Sequence, residues 1–343
     1  MPHRTFFLFM LPSLFVMLLF IAAPIVSVAY QSLFVEHDQV MTEVESCDPF
    51  SCTKEMRVDP TAMAALREAA PMGKFNGLAT YTNARHLATA EIATLWQTAP
   101  TMGAFYDGLM NLPFYKALAF TLTYTAVVTP LVIILGFFIA LAINAIPQII
   151  KGPVIFFSLL PMIVTPLIGS LVLFWMIDSQ GIIGATLQRI FNDPGLALKA
   201  SPTLTWATLI TYGVWHSAPF SFIVFYAGLQ TVPKDTLESA MIDGATRWER
   251  VRYVIIPHLM PLVTFVALMQ LMDHFRVFEP IVGFSAAANA SSLSYLIYSD
   301  LRGAETPLFG SAAATSMLTI LGVVILLMPV LIRTWRDFGR KAH

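Results

Sequence analysis

Six long apolar runs set the main constraint on what this chain can fold into. Each run contains 25 to 29 residues, and a helix needs about 20 apolar residues to cross a bilayer. The runs cover residues 6–32, 118–146, 153–177, 203–230, 258–283 and 308–332. Charged residues make up only 12% of the chain, about half of their share in ordinary globular domains. We therefore predict an all-α, polytopic membrane protein with six transmembrane helices.

The first run reads as a membrane span and not as a cleaved signal. The hydrophobic region of a signal peptide has about 7–15 residues and ends at a small-x-small cleavage site. The stretch from Phe6 to Tyr30 is longer and lacks such a site in the expected place. We predict that residues 1–32 form a retained N-terminal transmembrane helix.

The distribution of lysine and arginine predicts the orientation in the membrane. Basic residues are concentrated in four short segments, residues 1–5, 147–152, 231–257 and 333–343. The longer segments, residues 33–117, 178–202 and 284–307, together carry more acidic than basic residues. Basic segments usually face the cytoplasm. We expect an inner-membrane protein with both termini in the cytoplasm.

The longest polar segment, residues 33–117, is expected to form a periplasmic insertion. A helical pattern at 61–70 and turn signals at Asp48-Pro49 and Asp59-Pro60 fit either a solvated loop with short helices or a docking or lid element. Cys47 and Cys52 lie in this segment, and in an oxidising periplasm they are expected to form a small disulfide loop. Two free thiols are the alternative.

The segment between the fourth and fifth runs is charged and has a helical pattern. Pro233 suits the first position of a helix, and Gly244 suits the left-handed residue that follows a helix. Thr246 and Glu249 have the spacing of a capping box, which starts a second helix, and Pro257 is expected to end that helix at the membrane. We predict two short helices hinged at Asp243-Gly244. Their exposed apolar stripe, made of Leu237, Met241 and Ala245, is typical of a partner site.

This segment resembles the cytoplasmic coupling loop of ABC importer permeases. The family pattern is Glu-Ala-Ala, three residues, Gly, and then about nine residues to an Ile-x-Leu-Pro-like end. The chain has Glu238-Ser239-Ala240, then Gly244, then Ile255-Ile256-Pro257. Residues 114–122, 273–279 and 292–317 also resemble permeases of the carbohydrate family, of the maltose and glycerol-phosphate type. Residues 283–289 depart from the glycine- and proline-containing turn that is usual after the fifth span.

The resemblance implies a type I importer (MetI-like) core over residues 118–335, followed by a cytoplasmic tail at 336–343. It also implies a second permease subunit, two ATP-binding subunits that dock on the cytoplasmic loop at 231–257, and a periplasmic solute-binding protein, in contact with membrane lipid and not with nucleic acid. The residues expected to couple the chain to the ATPase are Glu238, Ala240, Met241, Asp243, Gly244, Ala245 and Trp248.

The chain itself is not expected to be an enzyme. It lacks the Gly-x-x-x-x-Gly-Lys-Ser/Thr phosphate loop, so ATP and Mg²⁺ are expected to bind the partner subunit. We expect no catalytic residue, no metal and no cofactor in this chain.

Polar and aromatic side chains within the apolar runs are the candidates for a substrate pathway, because charged and polar groups are costly in a membrane. They are Tyr212, Trp215, His216, Ser217, Phe220, Gln270, Asp273, His274, Arg276, Ser311 and Thr315. Asp273 and Arg276 are three residues apart and are expected to pair on one helix face. For each candidate, packing or a hydrogen bond between spans is the alternative to substrate contact.

The sequence thus predicts a permease that imports a carbohydrate, polyol or glycoside by alternating access. An ion-coupled secondary transporter is the alternative, although no internal repeat is visible. A membrane-embedded enzyme is a third reading, but no nucleophile or metal-ligand spacing accompanies Asp273, His274 and Glu279.

Overall fold

The structure is a computed structural model that describes residues 3–48, 51–303 and 307–341. Most of this part of the chain is helical, and two small two-stranded sheets lie near its beginning. The first helices are α1 His3–Met17, α2 Ala23–Gln31, α3 Pro60–Ala69, α4 Ala79–Thr82, α5 Thr89–Thr98 and α6 Met102–Met110. The strands are β1 Phe34–Val35, β2 Met41–Asp48, β3 Ser51–Val58 and β4 Lys74–Phe75.

The remaining helices contain the other apolar runs. They are α7 Pro113–Ala145, α8 Gln148–Ile163, α9 Pro166–Met176, α10 Ile182–Phe191, α11 Pro202–Leu229, α12 Lys234–Ile242, α13 Arg247–Arg250, α14 Ile256–Phe275, α15 Glu279–Gly283, α16 Leu293–Arg302 and α17 Phe309–Lys341. The chain divides into two compact units, Met1–Tyr115 with Leu296–Ile320 and Lys116–Tyr295 with Leu321–His343.

Several of these helices have the length and hydropathy of membrane spans. Among the described residues, four qualify singly: Phe6–Gln31, Pro113–Ala145, Arg247–Phe275 and Phe309–Arg333. The pair α8 and α9 qualifies together. Helix α11 is long enough with 28 residues, but polar side chains along it lower its hydropathy. The chain is therefore a multi-pass membrane protein, whereas the count of six spans stays a prediction.

The third apolar run is broken, not continuous. Helices α8 and α9 meet at an angle of 92°, and Val164 and Thr165 between them have extended backbone with ψ of 126° and 141°. Thr165 precedes Pro166, and the proline ring excludes the α conformation from the residue before it. The run therefore breaks at the residue that precedes Pro166.

Two π-helical turns lie immediately before prolines that continue a helix. Residues Leu18–Ala22 precede Pro24, and Val251–Ile255 precede Pro257. In the second turn the N–H of Ile256 donates to the carbonyl of Val251, five residues back. This wider turn accommodates a residue that cannot donate and whose ring would meet the carbonyl four positions earlier. The prediction that Pro257 ends its helix was therefore wrong, because the helix runs on from Arg247 to Phe275.

The fifth run also ends earlier than its hydropathy suggests. Helix α14 stops at Phe275, where the N–H of Arg276 donates to the Asp273 carbonyl in a final tight turn. The short helix α15 then begins at Glu279. The predicted span 258–283 is therefore a helix, a turn and a second short helix.

Within the first unit, the segment after α2 contains helices and a hairpin. The predicted helix at 61–70 is confirmed as α3, and Asp59 caps it by accepting hydrogen bonds from the N–H groups of Thr61 and Ala62. Strands β2 and β3 pair antiparallel, with Cys47 opposite Cys52 in the register. The cysteine side chains lie outside the described residues, so the disulfide stays a prediction. The hairpin was not predicted, because apolar residues do not alternate regularly through 41–58.

Within the second unit, helices α7 and α11 contribute to two apolar cores, of which α14 completes one and α15 the other. Phe222, Phe225, Leu259 and Val266 are fully buried in one of them. Close approach is possible because Gly136 lacks a side chain: a Cβ there would lie 2.8 Å from the backbone nitrogen of Phe222.

The turn after α9 is fixed by an ion pair. The Lys199 ammonium donates to the Asp178 carboxylate at 3.1 Å and also lies 3.5 Å from the centre of the Phe174 ring. The hydrogen bond from Lys199 is the main reason that the pKa of Asp178 is lowered. These contacts join the two ends of the segment that contains helix α10.

Candidate functional site

The clearest site within the second unit is a cavity of about 550 Å³. Its walls come from α7, the α8–α9 bend, α11, α14 and α15. The volume is in the range of small-molecule sites. The cavity brings together eight of the eleven predicted pathway residues: Tyr212, His216, Ser217, Phe220, Gln270, Asp273, His274 and Arg276.

One wall of the cavity is a buried hydrogen-bond network around His274. Its Nδ1 lies 2.9 Å from the hydroxyl of Thr129, and its Nε2 lies 3.3 Å from the hydroxyl of Ser217. The Gln270 amide donates to the Ser217 carbonyl at 3.4 Å. His274 and Gln270 therefore join α7, α11 and α14, and this use of polar side chains between spans is common in membrane proteins.

The predicted pair of Asp273 and Arg276 is present at the cavity. The guanidinium Nη2 lies 3.0 Å from the Asp273 carboxylate, and both side chains are more than half exposed. Arg276 also donates to the Met272 carbonyl at 3.3 Å, close to the end of α14, where a positive charge is favourable. The pair presents both a hydrogen-bond donor and an acceptor to the cavity.

A second wall is aromatic. The rings of Tyr212 and His216 stack with their centres 5.6 Å apart, and Phe284 meets Tyr212 edge-on at 5.4 Å. Tyr124 and Glu279 also line the cavity, although they were not among the predicted pathway residues. The dense polar stretch at 121–125 of α7 was the available signal for Tyr124.

Three predicted pathway residues do not line this cavity. Trp215 lies on the same helix but is 45% exposed and outside the lining. Ser311 and Thr315 belong to the first unit and are buried there. Ser311 donates to the Asp300 carboxylate at 2.6 Å, and its carbonyl lies 3.1 Å from Nε2 of the buried His86. In this unit Ser311 ties the start of α17 to α16 and to the segment before α5.

The second candidate site is the two-helix segment, residues 231–257. Helix α12 ends at Ile242, and Gly244 follows in the left-handed region with φ of 81°. The N–H of Gly244 donates to the Met241 carbonyl, and that of Ala245 donates to the Ala240 carbonyl. This is the Schellman pattern, so the predicted glycine hinge is present.

The start of α13 has the predicted capping box. The N–H of Glu249 donates to the Thr246 hydroxyl at 3.3 Å, and the N–H of Thr246 donates to the Glu249 carboxylate at 2.7 Å. Both partners satisfy backbone groups that a helix start leaves free. The geometry of the hinge is therefore set locally, on both sides of Gly244.

The exposed apolar surface of the two-helix segment differs in part from the predicted stripe. Leu237 and Ala245 are half-buried by the chain itself. Met241 and Trp248 are exposed at 50% and 58%, and Ile242 is exposed at 87%. Ile242 was not included in the predicted stripe. It is the last residue of α12, where the helical spacing that predicted the stripe ends. Glu238 and Asp243 are also exposed, which leaves both acids available to a partner.

Comparison with known proteins places the chain among transport permeases. Residues 110–336 match the family described as binding-protein-dependent transport system inner membrane component. The trehalose transport system permease protein SugA of Mycobacterium tuberculosis is 28% identical over 224 residues, which cover 65% of this chain and 71% of that protein. The probable ABC transporter permease protein YesP of Bacillus subtilis is 30% identical over 236 residues, covering 66% and 75%.

Further comparisons extend to a longer relative and to a solved structure. The maltodextrin transport system permease protein MdxF of Bacillus subtilis is 30% identical over 257 residues, covering 70% of this chain and 58% of that protein. A chain of a bacterial ABC transporter involved in the import of the acidic polysaccharide alginate superposes with a TM-score of 0.59 at 20% identity, covering 80% of this chain and 96% of that chain. The fold is thus that of an ABC permease.

Proposed function

This chain belongs to the family of binding-protein-dependent transport system inner membrane components, and from this premise we propose that it is a permease subunit of an ATP-driven carbohydrate importer. It carries a carbohydrate, or a related polyol or glycoside, from a periplasmic binding protein across the inner membrane by alternating access. It works with a second permease subunit and two ATP-binding subunits. Six spans cross the membrane, both termini are cytoplasmic, and residues 33–117 form a periplasmic insertion.

The observation that carries this proposal is the exposed two-helix segment. Three large apolar side chains, Met241, Ile242 and Trp248, are at least half exposed around a locally fixed hinge. The basic residues around them favour the cytoplasmic side, where such a surface calls for a soluble partner. A rigid, capped helix pair of this kind suits the transmission of a rigid-body shift from an ATPase.

Each coupling residue has a role in this proposal. Gly244 provides the left-handed turn, and Ala240 and Ala245 are joined across it by a backbone hydrogen bond. Met241 and Trp248 provide apolar contact with the ATP-binding subunit. Glu238 and Asp243 offer carboxylates to basic groups of that subunit, which binds ATP and Mg²⁺.

The cavity supports a hydroxyl-rich substrate. Binding sites for small polar ligands combine a mostly apolar wall with a few placed polar groups. Here aromatic faces of Tyr212 and Phe220 lie in one lining with Gln270, Asp273 and Arg276. The relatives SugA and MdxF are named for trehalose and maltodextrin transport, which agrees with a carbohydrate.

The substrate class is tested by uptake into proteoliposomes that contain the assembled transporter, its binding protein and ATP inside. We expect uptake of at least one neutral sugar, glycoside or polyol from a radiolabelled panel, and none when the binding protein is omitted. A panel that includes amino acids and oligopeptides provides the contrast. Uptake confined to those compounds would contradict the carbohydrate assignment.

A further inference from the structure

The break in the third apolar run leaves backbone groups that the helices cannot satisfy. Val164 lies between α8 and α9, so its carbonyl has no partner inside either helix. Within a bilayer such a group costs several kcal/mol unless protein or water provides a hydrogen bond. A donor from the protein, or water in the adjoining cavity, meets this requirement.

His216 of α11 donates to this carbonyl, and Tyr212, one turn earlier, adds a second hydrogen bond to a carbonyl in the first turn of α9. Nε2 of His216 lies 3.2 Å from the Val164 carbonyl oxygen, and the Tyr212 hydroxyl donates to the Pro166 carbonyl oxygen at 2.8 Å. A carbonyl only accepts hydrogen bonds, so Nε2 of His216 carries the proton in this contact. The two donors thus act on both sides of Thr165, at the point where the chain changes direction by 92°.

The local packing favours these two contacts. Tyr212 is 4% exposed, and its ring stacks on His216 at an interplanar angle of 29°. Gly169, one turn into α9, leaves room for the hydroxyl, because a Cβ there would lie 2.9 Å from the Tyr212 oxygen. The tyrosine is therefore held by its ring and by its hydroxyl at the same time.

We infer that Tyr212 and His216 are positioning residues for transport, which hold the α8–α9 bend and thereby shape the cavity. Met162 and Pro166 belong to the cavity lining and flank the bend, so a change in the bend changes the wall that faces the substrate. The donor groups of both side chains are engaged by the backbone. Recognition of substrate then falls to other polar groups of the lining, such as Gln270, Asp273 and Arg276. The transport readout of this inference rests on the proposed function, whereas its structural readout does not.

The structural readout is the distance between spin labels on the two sides of the bend. Phe157 of α8 and Val172 of α9 are 66% and 52% exposed, so both accept a label after substitution by cysteine in full-length protein with Cys47→Ser and Cys52→Ser. We expect one narrow distance distribution in this background. Adding Tyr212→Phe with His216→Ala is expected to broaden or shift it, because both backbone contacts are lost. Tyr226→Phe, on the same helix and without a contact to the bend, is the matched control and is expected to leave it unchanged.

The transport readout separates positioning from substrate contact. Tyr212→Phe and His216→Ala are each expected to lower the maximal transport rate about three- to tenfold, the equivalent of one hydrogen bond, with KM within about twofold of the original. His216→Gln is expected to restore most of the rate, since its amide can donate to the Val164 carbonyl.

Two results would overturn the inference. One is an unchanged distance distribution in the double variant. The other is a raised KM with an unaltered maximal rate, which would identify both side chains as substrate contacts. If the distance changes as expected but the unmodified assembly imports no carbohydrate, the proposed function fails and the positioning role stands.

Discussion

The hydroxyl of Thr129 on α7 and Nδ1 of His274 on α14 are 2.9 Å apart in a buried contact between two membrane helices. Thr129→Val keeps the shape of the side chain and removes this hydrogen bond. Such contacts between spans contribute about 0.6 kcal/mol on average and up to about 1.7 kcal/mol, so we expect a loss of stability in this range. Thermal unfolding of the purified protein in detergent measures it.

The matched control is Thr125→Val, one turn earlier on α7. The Thr125 hydroxyl donates to the Thr121 carbonyl of its own helix, which already has a backbone partner. Its loss is expected to have the smaller effect. Equal destabilisation by the two variants would argue against a linking role for His274.

Gly136 and Gly152 predict different effects of the same substitution. At Gly136 a Cβ would come within 2.8 Å of the Phe222 nitrogen, whereas at Gly152 nothing lies within 4 Å. Gly136→Ala is expected to destabilise the protein by about 1–3 kcal/mol through overpacking. Gly152→Ala is expected to change stability by no more than about 0.5 kcal/mol, because the site is open and the gain in helix propensity is offset by the following Pro153, whose ring disfavours the α conformation at a preceding residue with a Cβ. Unfolding in detergent gives both values, and a neutral Gly136→Ala would exclude the close approach of α7 and α11.

The hinge at Gly244 distinguishes backbone conformation from partner contact. A Cβ at Gly244 meets no atom of this chain within 4 Å, but φ of 81° disfavours most side chains. Gly244→Ala is expected to strain the hinge by about 1–2 kcal/mol, while asparagine tolerates the left-handed region. If both variants insert normally and both abolish ATP-driven uptake, the partner packs against this position. Retained uptake in Gly244→Asn alone would mean that only the turn matters.

The exposed apolar side chains of the two-helix segment predict where the ATP-binding subunit docks. Ile242→Asp and Trp248→Ala are expected to leave folding unchanged, because both residues are more than half exposed. Each is expected to reduce recovery of the ATP-binding subunit with this chain about tenfold or more, as for a central interface residue. Ile190→Asp on α10, at a residue 68% exposed, is the control. Undiminished recovery with both variants would remove these residues from the interface.

The register of the 41–58 hairpin predicts how the two cysteines behave. Cys47 is opposite Cys52 in the backbone register of β2 and β3, and the Cα–Cα separation typical of such pairs, about 4.5–5.5 Å, lies within the range that a disulfide spans. We expect protein purified from membranes to resist thiol alkylation until it is reduced, as seen by intact-mass spectrometry. Immediate labelling of both residues would show free thiols.

Most of the features that were predicted correctly depend on residues close together in the sequence. The Thr246–Glu249 capping box, the left-handed Gly244 and the Asp273–Arg276 pair each depend on residues within four positions of one another, and all three are present. Composition was sufficient to predict a membrane protein, since runs of more than 20 apolar residues usually form transmembrane helices.

The features that escaped prediction depend on longer-range or compensating geometry. Hydropathy gave no reason to expect that a π-helical turn would carry the helix through Pro257, or that α14 would stop at Phe275. Tyr212 and His216 were interpreted as possible substrate contacts because polar aromatic groups in a span suggest a pathway. Only the position of the Val164 and Pro166 carbonyls reveals that these side chains bond the backbone at the α8–α9 bend.

The energy source of transport distinguishes an ATP-driven importer from an ion-coupled carrier. Proteoliposomes with the complete transporter, its binding protein and a labelled carbohydrate are compared with and without internal ATP, and with an ATP-binding subunit that binds but does not hydrolyse ATP. We predict accumulation only with ATP and a hydrolysing subunit, and no effect of dissipating proton or sodium gradients. Accumulation driven by an ion gradient in the absence of ATP would contradict this prediction.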